Sequence, residues 1–164
     1  MTNNWKYNDS EVLTIDDMKT LEPKVWGFVY LLTLISKETG DIKFKYIGKK
    51  NIFSIRSKDA TKKELETLPK SSFKRRKIKG KNQYKYYTTS IKESDWKTYI
   101  SSNKFIKDNH SKFIINRDII KFSTNDSDLS YQEAKEILCQ DTLDDPLFLN
   151  NGVSIRRFAN KIIK

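Results

Sequence analysis

Residues 26–50, WGFVYLLTLISKETGDIKFKYIGKK, place an apolar run, a polar turn and an alternating run in immediate succession. Val25 to Ile35 is apolar and rich in β-branched and aromatic residues, which predicts a buried strand. From Ile42 to Ile47, Ile42, Phe44 and Tyr46 fall on one face and Lys43 and Lys45 on the other, the pattern of a second strand. Between them, Ser36-Lys37-Glu38-Thr39-Gly40 fits a three-residue hairpin loop followed by a glycine in the left-handed region. A turn centred on Glu38 sets Tyr30 opposite Tyr46 and Leu32 opposite Phe44 on a shared face. Paired phenols, with Gly48 leaving the backbone open and Lys49 and Lys50 beside it, suit phosphate chemistry. The plain alternative is a hairpin whose tyrosines pack a core.

Phosphate chemistry calls for a polyanionic partner, and the charge agrees. Lys and Arg number 32 against 21 Asp and Glu, with a sequence pI of about 9.6, which favours nucleic acid before a membrane surface. The 164 residues allow one domain with a modest core, or a core with basic appendages. Cys139 is the only cysteine, which excludes an intrachain disulfide and a cysteine-rich zinc cage and suits a reducing, cytoplasmic setting. Met1 to Ser10 is polar and reads as no signal peptide. No apolar run approaches the roughly 20 residues of a spanning helix, so no membrane association is expected.

Met1 to Asn8 reads as disordered or loosely attached, and Ser10 or Thr14 as the cap of a short helix ending before Pro23. Thr61 to Leu68 reads as a helix capped by Thr61, with Glu64 in the capping-box position. In the stretch that follows, Lys70, Lys74, Arg75, Arg76, Lys77, Lys79, Lys81 and Lys85 supply eight positive charges with no acid opposing them. Phe73, Tyr84, Tyr86 and Tyr87 interleave with these charges, a mixture suited to tracking phosphates. Gly80 and Asn82 argue against a rigid helix, so residues 70–92 read as a basic insertion loop. Ser94 is a candidate cap for a helix carrying Trp96, Tyr99, Ile100 and Phe105 into the core. Phe113 to Phe122 reads as a strand beside the hairpin, and Asp128 to Leu138 as a helix. Ser130 and Glu133 stand at capping-box spacing, the structural explanation for that glutamate. Asp144-Asp145 before Pro146 reads as a turn. In the tail, Ser154 to Lys164, Arg156 and Arg157 suit a basic helix or final strand lying on DNA.

Phe28-Val29-Tyr30 followed by Tyr46-Ile47-Gly48 resembles the paired motif of the GIY-YIG nucleases. The first tripeptide is degenerate, with Gly27 one position early, and the second is intact. Tyr-Ile-Gly-Lys-Lys together with the downstream Ser-Asp-Trp-Lys-x-Tyr is most similar to the phage-encoded, homing-like branch. The resemblance implies an α+β fold: a small, mainly antiparallel three-stranded sheet flanked by helices. It would span residues 23–152, with residues 1–22 as an extension and 153–164 as a basic tail. It also implies a metal-dependent DNA endonuclease using Mg²⁺ or Mn²⁺. Arg56, ten residues beyond Tyr46, would serve a phosphate from the helix after the second strand. That helix carries no histidine, because the only histidine is His110. Glu133 would be the single acidic metal ligand, with Glu136 as the alternative. Asn151 matches the family's downstream asparagine, with Asn150 as the alternative.

In this scheme Tyr30 acts as general base, with Tyr46 as partner or substitute. A free phenol has a pKa of about 10, so nearby cations must lower it. Lys49, Lys50 and Arg56 are available for that and for neutralising the phosphate. The resemblance implies double-stranded DNA as partner, in the host cytoplasm if the chain is phage-encoded. Two-strand cutting would call for a homodimer or sequential nicks. The rival readings are a non-catalytic nucleic-acid-binding protein on the same fold and a basic RNA-associated protein without an active site.

Overall fold

The structure, a computed structural model, describes residues 2–80 and 83–153. The chain forms two compact units, one from residues 1–52 and 95–164 and the other from residues 53–94. In the first, strands β1 (Thr2–Tyr7), β2 (Ser10–Val12), β3 (Gly27–Ser36), β4 (Ile42–Asn51) and β8 (Phe113–Ser123) form one sheet in the order β2-β1-β8-β3-β4. Helices α1 (Ile15–Leu21), α3 (Lys104–Asn109) and α4 (Asp126–Cys139) complete that unit. In the second, β5 (Phe53–Asp59), β6 (Lys74–Lys77) and β7 (Tyr84–Glu93) form an antiparallel sheet in the order β5-β7-β6, accompanied by α2 (Lys62–Thr67). Among the described residues no helix is long and apolar enough to cross a membrane.

The hairpin forms at the expected place. Gly40 has φ +76°, and its N–H donates to the Ser36 carbonyl at 3.0 Å, closing the turn as the sequence suggests. β3 lies between β4 and β8 and is buried on both faces, which explains its unbroken apolar run. Val29 joins Ile47 of β4 against Leu129 and Ile137 of α4 on one face. Phe28 and Tyr30 pack on Trp5 on the other, with ring centroids 5.0 and 5.3 Å away. Thr14 and Thr61 cap α1 and α2, each with a complete capping box.

The three-stranded expectation is corrected by the N-terminus. Met1 to Asn8 reads as loose because Trp5 alone in β1 is buried, yet residues 2–7 form a strand parallel to β8. Trp5 is 1 % exposed and its indole N–H donates to the Trp96 carbonyl at 2.8 Å. Arg117 of β8 locks the same corner. Its side chain donates to the carbonyls of Asn3 at 2.6 Å, Lys97 at 2.9 Å and Tyr99 at 3.1 Å, and lies over the Trp5 ring. Burial lowers its pKa to about 10, so it remains charged at neutral pH. The helix expected after Ser94 is a turn. Thr98 N–H donates to the Asp95 carbonyl, Trp96 is fully buried, and the helix begins only after the Asn103 cap. Residues 70–92 are likewise not one loop, since β6 lies within them and β7 takes up the stretch from Tyr84 onward.

Trp5→Ala should cost roughly 3–5 kcal/mol, as for other buried tryptophans. Urea unfolding reads this directly, and a loss below about 1 kcal/mol would mean that the N-terminal strand is dispensable to the core.

Candidate active site

The hairpin register differs from the expected one by two residues. Tyr30 faces Gly48, Leu32 faces Tyr46 and Leu34 faces Phe44. The register shifts between Leu34 and Ile35, where Ile35 pairs with Ile42 and leaves Lys43 as an extra residue. The slip is even, so Tyr30, Tyr46 and Gly48 still share a face. The two tyrosines are diagonal neighbours with ring centroids 6.3 Å apart. Gly48 is the opening for this packing. A Cβ there would lie 2.6 Å from the Tyr30 hydroxyl and 2.8 Å from Tyr46 Cε1.

The two phenols differ in access. Tyr30 is wholly buried, and its hydroxyl makes no hydrogen bond of good geometry, with the polar groups of Tyr99 and Ser101 as its neighbours. Burial, reinforced by Tyr99 and Tyr46, pushes its pKa well above the usual phenol value. Tyr46 is half-buried. Burial is the main cause of its raised pKa too, the Ser102 hydroxyl opposing and the Glu133 carboxylate adding to the rise. The expected lowering of a phenol by cations is therefore reversed for both, because desolvation dominates.

Lys49 and Lys50 point to opposite faces of β4. Lys50 is committed: its ammonium binds the Asp95 carboxylate and sits 3.9 Å from the centre of the Tyr99 ring. Lys49 reaches α4, donating to Ser130 Oγ at 2.7 Å and lying 3.1 Å from Glu133 Oε2. The helix begins at Asp126 under an Asn125 cap, five residues earlier than a Ser130 cap requires. Ser130 and Glu133 are thus mid-helix, and Ser130 donates back to the Asp126 carbonyl at 2.9 Å. Capping does not account for Glu133.

Asn150, not Asn151, reaches the motif strand. Its amide accepts from the Ile47 N–H at 2.9 Å and donates to the Ile47 carbonyl at 2.8 Å, while Asn151 is exposed. This clamp fixes the backbone between Tyr46 and Gly48. The neighbouring Leu147 and Leu149 bond to Lys45 and extend the cover over the β4 edge. The family resemblance favours Asn151 because it precedes Gly152, and nothing in the sequence shows which of the two asparagines faces Ile47.

Among the described residues no group of three or more acids, histidines or cysteines could hold a metal. Glu133 offers one partly exposed carboxylate, whose hard oxygens fit Mg²⁺ or Mn²⁺ completed by water and phosphate oxygens. Arg56 departs from the implied helix: it is exposed on strand β5 in the second unit, paired with Ser90. Lys70, Lys74, Arg75, Arg76, Lys77, Lys79 and Lys85 are exposed in that same unit. Lys81, Arg156, Arg157 and the tail from Ser154 lie outside the described residues.

The paired motif thus stands on adjacent strands, with an acid from a later helix beside its lysine. A family model described as "Putative endonuclease segE, GIY-YIG domain" matches residues 5–162. The chain belongs to the GIY-YIG endonuclease family. No curated protein and no solved structure matches it. The match to this nuclease domain includes the Trp5 strand and the second unit as well as the motif hairpin.

Gly48→Ala should cost about 1–3 kcal/mol through overpacking, with Tyr30→Phe partly restoring stability in a double-mutant cycle. Purely additive losses would count against the close contact. Tyr30→Phe alone should leave neutral-pH stability unchanged or up to about 1 kcal/mol higher, since it removes an unsatisfied buried hydroxyl. Because the folded Tyr30 pKa lies above the unfolded value, its stabilising contribution is full below about pH 10 and declines as pH rises beyond it. Unfolding curves at alkaline pH should therefore fall less steeply for Tyr30→Phe than for wild type.

Proposed function

We propose that this endonuclease hydrolyses DNA phosphodiesters at the edge of β4, with Tyr46 and Glu133 approaching the reacting phosphate from the two faces of that strand. The supporting observation is the Lys49 bridge, which holds Ser130 and Glu133 against the motif strand. Glu133 would carry the Mg²⁺ or Mn²⁺. A cation bound there would polarise the phosphate and offset the carboxylate charge that helps raise the Tyr46 pKa.

Tyr46 is a better water-orienting group than Tyr30, because its phenol is partly accessible while the Tyr30 hydroxyl is sealed. Tyr30 supports the Tyr46 ring from within the core. Lys49 contributes positive charge where the phosphorane develops its negative charge, and orients Glu133 in the meantime. Lys50 acts structurally through Asp95. Asn150 holds the Ile47 backbone and so the strand on which Tyr46 stands. A non-catalytic DNA-binding role has no comparable use for a carboxylate held at a basic strand.

Plasmid nicking at low salt, with Mg²⁺, Mn²⁺ or EDTA, tests this assignment. Glu133→Ala should abolish metal-dependent nicking with duplex binding retained, and Tyr46→Phe should lower the rate by about 10²–10⁴. Tyr30→Phe should stay within several-fold of wild type. Equal activity for Glu133→Ala and wild type would reject Glu133 as the metal carboxylate.

A further inference from the structure

The second unit divides its charge unequally between the faces of its sheet. Pairs Ser54–Lys92, Arg56–Ser90, Arg75–Tyr86 and Lys77–Tyr84 share one face, because cross-strand partners point the same way and successive residues point oppositely. That face carries no carboxylate at any strand position. Lys58, at its α2 end, is engaged by Glu64 at 3.4 Å. Arg56, Arg75, Lys77 and Lys92 are exposed, and among the described residues none of them forms an ion pair. The Arg75 guanidinium lies 4.8 Å from the Tyr84 ring centre, held against an aromatic plane with its donors still accessible.

The opposite face carries three strand cations, of which two are paired there and Lys74 is left exposed. Asp59 lies 3.0 Å from Arg76 and 2.6 Å from Lys85, and both cations are thereby committed. That face also carries the exposed pair Ile55 and Ile91. The basic stretch is therefore not uniformly available to a polyanion.

We infer that the Arg56 face of the β5-β7-β6 sheet is a docking surface for the sugar–phosphate backbone of duplex DNA, with Arg56 and Lys92 as its anchors. This deepens the nuclease reading and rests on it for the choice of DNA. Unpaired like charges on one face repel each other, and a polyanion relieves that repulsion while releasing its own counterions. Guanidinium, ammonium and the intervening Ser and Thr hydroxyls are the donor types that contact phosphates and fix register. Three strands spaced about 4.8 Å apart present a platform roughly 10 Å across, comparable to the roughly 12 Å width of a B-DNA major groove.

The test uses the full chain in EDTA and measures anisotropy of a labelled duplex across a salt series. Arg56→Gln/Lys92→Gln and Arg76→Gln/Lys85→Gln remove the same charge from opposite faces. The first pair should weaken binding about tenfold or more and reduce the salt slope by about 2. The second should stay within about threefold, with thermal melting confirming that both fold. Arg56→Lys, which keeps the charge, should retain binding. Equal losses from the two pairs, or a larger loss from the Asp59 side, would overturn the assignment. Equal affinity for a single-stranded oligonucleotide would overturn the choice of duplex. In Mg²⁺ nicking, the loss from Arg56→Gln/Lys92→Gln should appear in KM. A fall in kcat with binding intact would place Arg56 at the reacting phosphate and overturn its docking role. Salt-dependent duplex binding through this face by a wild type that never nicks would support the surface while rejecting the nuclease reading.

Discussion

The approach of the Tyr30 phenol to the bare backbone of Gly48 sets the arrangement of the motif strands. A side chain at position 48 would occupy the space of both tyrosine rings. The contact fixes which residues of β3 and β4 face each other, and an odd slip would exchange the faces of every side chain on the strand. β3 is central, so its two faces feed two separate apolar layers. One is closed by α4 and the other by Trp5 and Trp96.

β4, by contrast, is the sheet edge, and edges expose unpaired backbone groups. Residues 147–150 cover part of that edge, with the Asn150 amide acting as a strand partner for Ile47. The remaining edge lies between a half-buried phenol and a lysine–glutamate pair. Side-chain alternation sends Tyr46 and Lys49 to different faces, so one strand presents groups from both sides. Electrostatics keeps the two sides in communication, because the Glu133 charge contributes to the raised Tyr46 pKa.

Local chemistry also explains how a strongly basic chain stays ordered. Lys50 and Lys49 are absorbed by carboxylates in the first unit, and Arg76 and Lys85 by Asp59 in the second. Arg117 has three carbonyls instead of an acid, holding N-terminal and central segments together by hydrogen bonds. The residual charge is consequently a property of particular faces and not of composition.

The sequence by itself determined the hairpin, the left-handed Gly40, the cap at Thr61 and the β8 strand, and narrowed the first cap to Ser10 or Thr14, because each has a signal within a few neighbouring residues. It also carried the family through Tyr30, Tyr46 and Gly48. Only the tertiary structure decided the N-terminal strands, whose inward residues are just Trp5 and Val12, too sparse for a periodic pattern. The bulge beside Lys43 moved the register, and an Asn125 cap displaced the predicted start at Ser130. The choice of Asn150 over Asn151, the sealing of Tyr30 and the unequal faces of the second sheet likewise depend on partners distant in sequence. Burial and charge pairing are three-dimensional quantities, and residue spacing along the chain does not contain them.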